Sequence, residues 1–234
     1  MLKPIVTTAS VLIIDGDDTL WENNVYFEQA IEDFIDFLAH SRLSREQVRS
    51  TLDEVERLNS RVHGYGSAAF ARNLRETYER LAERQVERAD LDHVMSLARR
   101  ITSVDLELLP GVEDTLDYLK KRYRLLLFTK GEAEEQRLKV QRSGLASRFD
   151  AVVVAMEKDA SAYARLLDEQ GIKAGAAWMI GNSPRSDINP ALAAGLGAVY
   201  IPHPHTWRLE DAEVHAEDGR LLILQSFSQL RDHF

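Results

Sequence analysis

Val11-Leu12-Ile13-Ile14-Asp15-Gly16-Asp17-Asp18-Thr19-Leu20 is the stretch whose reading decides the fold. Four apolar residues, three of them β-branched, read as a strand buried on both faces of a parallel sheet. Carboxylates follow where that strand ends, and ligand sites of open α/β sheets form outside the carboxyl ends of their strands. Taken alone, Asp-Gly-Asp-Asp-Thr is also an ordinary polar turn, because Gly and Asp are common turn residues. The segments downstream decide between the two readings.

After this strand the pattern becomes helical for some 80 residues. Val25 to His40 places Phe27, Ile31, Phe34, Ile35 and Leu38 at helical spacing. Ser44-Arg45-Glu46-Gln47 has the form of a capping box and opens a second helix towards Leu58. Gly64-Tyr65-Gly66 breaks the pattern; further helices are expected from about Ser67 to Gln85 and from Ala89 to Thr102. Pro110-Gly111 marks a boundary. Beyond it strands and helices alternate: helix Val112 to Lys121, strand Arg124 to Phe128, helix Ala133 to Ser143 with Gly144 at its end, strand Ala151 to Ala155 and helix Ser161 to Gln170. Strand Ala176 to Ile180, helix Ser186 to Ala194 and strand Ala198 to Ile201 follow, with a late strand near Leu221 to Leu224 and a final short helix from Ser226. The expected fold class is therefore α/β: a Rossmann-like parallel sheet with helices on both faces and an inserted α-helical segment. The sheet domain is expected to use residues 1–21 and 107–234, the insertion residues 22–106.

Composition narrows the function. A chain of 234 residues with 44% hydrophobic content can bury a sizeable core. A formal net charge of -9 with no long basic run argues against nucleic acid or an anionic membrane as a partner. There is no cysteine, so disulfides and thiolate metal sites are excluded. The start of the chain, with Lys3 its one early basic residue, does not read as a signal peptide, and no stretch is long and apolar enough to span a bilayer. A cytoplasmic protein is expected.

Four strand-end segments carry chemistry. In the first, Asp15 and Asp17 can point into one pocket, one attacking a phosphorus centre while the other handles a proton; Asp18 is expected to serve the turn or face solvent. In the second, Thr129, Lys130 and Gly131 follow an apolar run, and the hydroxyl and backbone amides there could hold phosphate oxygens beside a helix N-terminus. Alone, Thr129 would read as a helix cap. In the third, Lys158 lies between a strand and a helix, where a cation could offset a nucleophilic carboxylate and a phosphate. In the fourth, Gly181-Asn182-Ser183-Pro184-Arg185-Ser186-Asp187, Asp187 could bind a hard cation such as Mg²⁺ and Asn182 could ligate it or orient a ligand.

Order and placement of these segments resemble the haloacid dehalogenase superfamily, in particular its phosphatase branch with a C1-type helical cap. Asp15-x-Asp17-x-Thr19 matches the first motif, Thr129 the second, Lys158 the third, and Gly181-Asn182 through Asp187 the fourth. The resemblance implies that Asp15 is a nucleophile forming an aspartyl-phosphate, and that Asp17 protonates the leaving oxygen and then activates water. It implies Mg²⁺ held by the Asp15 side chain, the Asp17 backbone carbonyl and Asp187. Thr19, Thr129, Lys130, Gly131 and Asn182 would then bind the substrate phosphate, and Lys158 would hold Asp15 and phosphate in register. The fourth motif of the family often begins Gly-Asp; here it is Gly181-Asn182, which keeps an oxygen ligand and loses a charge.

The expected activity is Mg²⁺-dependent hydrolysis of a small phosphate monoester. Family dehalogenases generally lack an acid–base aspartate at the position of Asp17, since expelling halide needs no proton. A phosphomutase using the same residues, and a phosphate-binding protein that has lost turnover, remain open alternatives. The helical insertion is expected to select the substrate, with His63, Tyr65 and Arg72 as candidates and Trp21 and Glu22 at the hinge. His203 and His205 are expected on a surface or site-rim loop rather than at a zinc site, because no third ligand accompanies them.

Overall fold

The computed structural model describes residues 9–215 and 219–234. The early stretch around Lys3, on which the signal-peptide reading rests, lies outside them. The chain divides into two compact units, residues 1–22 with 106–234, and residues 23–105.

The first unit is built on six parallel strands among the described residues: β1 (Val11–Ile14), β2 (Arg124–Lys130), β3 (Ala151–Ala155), β4 (Ala177–Gly181), β5 (Gly197–Tyr200) and β6 (Leu221–Ile223), in the order β3-β2-β1-β4-β5-β6. β1 is central, and its alternate residues serve opposite faces. Leu12 and Ile14 join Leu125, Leu127 and Ile180 against the helix Val112–Leu119 and the C-terminal Phe227, Leu230 and Phe234. Val11 and Ile13 join Leu126, Phe128 and Met179 against Tyr163 and Leu166 of the helix Ala160–Gln170. Both faces are thus covered, as expected of a parallel sheet. After β1 the chain winds out to β3 on one side and then returns to β4 on the other. The switch point lies between β1 and β4, and Asp15 and Asn182 stand directly after those strands.

The second unit packs four α-helices among the described residues: α1 (Asn24–Leu38), α2 (Arg45–His63), α3 (Ser67–Leu81) and α4 (Arg88–Ile101). Phe34, Leu52, Phe70, Leu74, Val94 and Leu97 form its core. The capping box that opens α2 is present: Ser44 Oγ accepts from Gln47 N at 3.2 Å, and Gln47 Oε1 accepts from Ser44 N at 2.9 Å. Arg49, buried in this unit, is held by Glu28 and Asp53.

Some boundaries differ from expectation. β2 runs on to Lys130 because Thr129 and Lys130 pair with Val154 and Ala155. A π-type turn, Pro184–Ile188, precedes a short helix, Asn189–Ala193, where one longer helix is expected. The helical run starts before Ser186, capped by Ser183, whose hydroxyl accepts from Ser186 N, and it changes type beside Pro190, which has no N–H to donate. The final helix is a 3₁₀ segment, Phe227–Asp232, not an α-helix. Among the described residues no helix is long and apolar enough to cross a membrane.

Candidate active site

Three strand ends bring the central group together. Asp15 follows β1, and its amide donates to the Ile180 carbonyl of β4 at 2.9 Å, which fixes the first motif against the fourth. Lys158 Nζ lies 2.6 Å from Asp15 Oδ1 and 2.6 Å from Asp187 Oδ1. Thr19 Oγ1 lies 3.3 Å from both Asp15 Oδ2 and Asn182 Oδ1. Asn182 in turn donates to Thr206 Oγ1 at 2.9 Å. Asp187 Oδ2 accepts the Ser183 amide at 3.0 Å, and a Cβ on Gly181 would run into the Asp187 carboxylate. Glycine is required there by space, not by its dihedral angles. Tyr163, buried under the fourth motif, donates to the Ser186 carbonyl at 3.0 Å and anchors the turn that carries Asp187.

This group is buried and electrically unbalanced. Asp15, Asp187 and Lys158 are all buried, two carboxylates against one ammonium. Burial, with the neighbouring Asp187 adding to it and Lys158 opposing it, pushes the Asp15 carboxyl up to about 7. Burial works against charge on Lys158, but Asp15 and Asp187 outweigh it and hold the ammonium above its usual range. An excess of negative charge on oxygen donors fits a hard divalent cation.

The other expected residues fall around this centre. Asp17 accepts from Trp21 Nε1 at 2.7 Å, from Gln136 Nε2 at 2.9 Å and from Lys139 Nζ at 2.8 and 3.0 Å. Thr129 is buried and donates to Gln136 Oε1 at 3.1 Å. Gly131 has φ +152° and its amide donates to the Ala155 carbonyl at 3.0 Å. Lys130 does not join the Asp15 group through its ammonium, which pairs with Glu210 and donates to Ser186 Oγ at 2.9 Å. Asp18 serves the turn, with φ +57°, and is buried instead of facing solvent.

The His203 and His205 rings are 5.9 Å apart, and His205 is exposed. His203 is largely buried, and one donor atom each from Asp18, Glu22 and His203 lies within 4.8 Å of the others. The two carboxylates nevertheless approach opposite ring nitrogens, Glu22 Oε2 at 3.4 Å from Nε2 and Asp18 Oδ1 at 3.8 Å from Nδ1, and Nδ1 accepts the His205 amide.

Sequence reasoning does not find Gln136, Lys139 or Glu210. Gln136 carries a usable signal, a polar residue four positions before Val140 on the buried face of the helix Ala133–Arg142. Glu210 has none, since its role depends on a fold that brings it to Lys130 from 80 residues away. In the helical unit, His63 ends α2, Tyr65 lies in the break before α3, and Arg72 is exposed on α3.

Known proteins resemble this chain in sequence and in fold. The model of the haloacid dehalogenase-like hydrolase family matches residues 9–195. A haloacid dehalogenase-like family hydrolase from Xanthomonas campestris superposes with a TM-score of 0.83 at 30% identity, over 97% of this chain and 96% of that one. The HAD-hydrolase YfnB from Bacillus subtilis, whose crystal structure holds magnesium, shares the fold at 15% identity and a TM-score of 0.69, over 97% and 98% of the two chains. An N-acylneuraminate-9-phosphatase from Rattus norvegicus is 36% identical over 92 residues, which span 37% of each chain.

Proposed function

The chain belongs to the haloacid dehalogenase-like hydrolase family, and on that premise we propose that it is a Mg²⁺-dependent phosphatase acting on a small phosphate monoester. One observation carries the reading: Lys158 bridges Asp15 and Asp187 at 2.6 Å each, a buried carboxylate pair one positive charge short of neutral. The Asp15 and Asp187 carboxylates and the Asp17 backbone carbonyl would hold Mg²⁺. When bound, the ion supplies the missing positive charge for the phosphoryl oxygens.

The chain's own residues do the rest. An Asp15 oxygen attacks phosphorus, the bond from phosphorus to the leaving oxygen breaks, and Asp17 gives that oxygen a proton. Asp17, now a carboxylate, takes a proton from water as the water oxygen attacks phosphorus. The bond from phosphorus to Asp15 breaks, which releases inorganic phosphate and restores the Asp15 carboxylate. Lys158 offsets charge on Asp15 throughout, and Thr19, Thr129 and Asn182 bind the phosphate; Gly131 takes no part, because its amide is held by the Ala155 carbonyl. Lys130 acts in this reading through Ser186 and Glu210, steadying the turn that carries Asp187. The presence of Asp17 favours ester hydrolysis over halide displacement, and the stretch shared with a phosphatase supports the same choice. The helical unit selects the substrate.

The test is phosphate release from a panel of monoesters, with Mg²⁺ and with EDTA, for wild type and Asp15→Asn. Release that needs both Mg²⁺ and Asp15 is expected. Substantial release by pure Asp15→Asn, or none by wild type from any ester, would overturn the proposal.

A further inference from the structure

Asp17 is gripped from a helix that the reaction above does not use. We propose that Gln136 and Lys139, on the helix Ala133–Arg142, are positioning residues that orient the Asp17 carboxyl for its two proton transfers, with Gln136 tied in turn to Thr129 at the end of β2. The proposal rests on the phosphatase reading and deepens it.

Gln136 and Lys139 are three residues apart and so share one helix face. Both reach Asp17, from 119 and 122 residues away in sequence. Gln136 is only 3% exposed, a position where an apolar residue would serve packing as well. Both ends of its amide are used, Nε2 donating to Asp17 and Oε1 accepting from Thr129. One side chain thus ties the acid–base residue after β1 to the end of β2. Room for it is made by Gly131, where a Cβ would stand 2.8 Å from Gln136 Nε2. Lys139 is 16% exposed and Asp17 21%, so this pair is shielded well beyond an ordinary surface salt bridge.

The grip has a chemical consequence. An ionised carboxylate accepts about four hydrogen bonds, and with Trp21 Nε1 the two Asp17 oxygens receive four donor contacts. These donors hold the Asp17 carboxyl in one orientation beside the leaving oxygen. They also fix the plane of the carboxylate that then takes a proton from water. Lys139 contacts Asp17, so it acts through Asp17 and is not itself the acid or base. Orientation of a reacting group is a large part of what general acid–base catalysis contributes, on the order of 10²–10⁴-fold in all.

The experiment compares Lys139→Met, Lys139→Arg, Asp17→Asn and the double variant Asp17→Asn/Lys139→Met, each with an alkyl phosphate and with p-nitrophenyl phosphate. Lys139→Met should lower kcat on the alkyl ester about 10- to 100-fold, with KM changed less than about twofold, and should lower the p-nitrophenyl rate distinctly less. Lys139→Arg should recover part of the loss. The double variant should be no slower than Asp17→Asn alone, because residues acting as one unit are not additive. Equal losses on both esters, losses that multiply in the double variant, or a Lys139→Met enzyme at wild-type rate would each overturn the positioning role. If Lys139→Met fails to fold, Lys139→Gln, which keeps a donor without the charge, takes its place with the same expected split. Wild type inert on every ester overturns the phosphatase reading and this inference together; active wild type with an unaffected Lys139 variant overturns the inference alone.

Discussion

Asp15→Asn should make the metal-free protein more stable, and the gain should grow with pH. Asp15 ionises near 3.8 in an unfolded chain and at about 7 in the fold, where burial and Asp187 outweigh Lys158. Below pH 4 the carboxyl is protonated in both states and no penalty arises. Between 4 and 7 the folded state keeps a proton that the unfolded state gives up, so stability falls as pH rises through this window. Above 7 the penalty is constant. At about 1.4 kcal/mol per pH unit it amounts to under 2 kcal/mol at pH 5 and about 4 kcal/mol at pH 8, an order-of-magnitude figure. Asparagine keeps the shape and removes the charge. The variant should therefore melt about 10 °C higher than wild type in EDTA at pH 8, given 2–4 °C per kcal/mol for a chain of this size, and only a few degrees higher at pH 5. Trp21, Trp178 and Trp207 all belong to the α/β unit, so tryptophan fluorescence reports its unfolding without contribution from the helical unit. Saturating Mg²⁺ should narrow the gap at pH 8 by stabilising wild type, by about 2.7 kcal/mol at a hundred times Kd, more than the variant. A variant no more stable than wild type at pH 8, or a gain equal at pH 5 and pH 8, would refute the account of Asp15.

Asp17→Asn should slow alkyl phosphate hydrolysis at least tenfold more than hydrolysis of p-nitrophenyl phosphate, whose leaving group needs little protonation; equal losses would assign Asp17 to water activation or metal geometry instead. Lys158→Met should abolish turnover and, in EDTA at pH 8, cost about 3 kcal/mol, because it leaves Asp15 and Asp187 without their shared cation; urea melts followed by tryptophan fluorescence check this. Gly181→Ala should push the Asp187 carboxylate from its place and greatly reduce the Mg²⁺-induced rise in Tm, while the melting point in EDTA falls by several degrees. Ser44→Ala should cost the helical unit about 1 kcal/mol by removing the cap of α2 and leave phosphate release unchanged, measured by circular dichroism and by the same panel of esters.

What the sequence determined by itself was local. The apolar runs at Val11–Ile14 and Arg124–Phe128, the capping box at Ser44 and the breaks at Gly64 and Pro110 each depend on the backbone preferences and burial of neighbouring residues, and these are written in neighbouring letters. The placement of Asp15, Asp17, Lys158 and Asp187 beyond strand ends, and of Thr129 at the end of β2, was legible for the same reason: apolar runs precede them, and a parallel sheet gathers its strand ends on one edge. Tertiary structure decided what the side chains do once gathered. That Lys158 bridges two carboxylates, that Lys130 turns to Glu210 and that Asp17 is held from the helix Ala133–Arg142 depend on distances between residues 29 to 143 positions apart. Such pairings carry no periodic signal. The charge state of Asp15 belongs with them, because it is set by the water that the surrounding fold removes and by a second carboxylate the fold brings near.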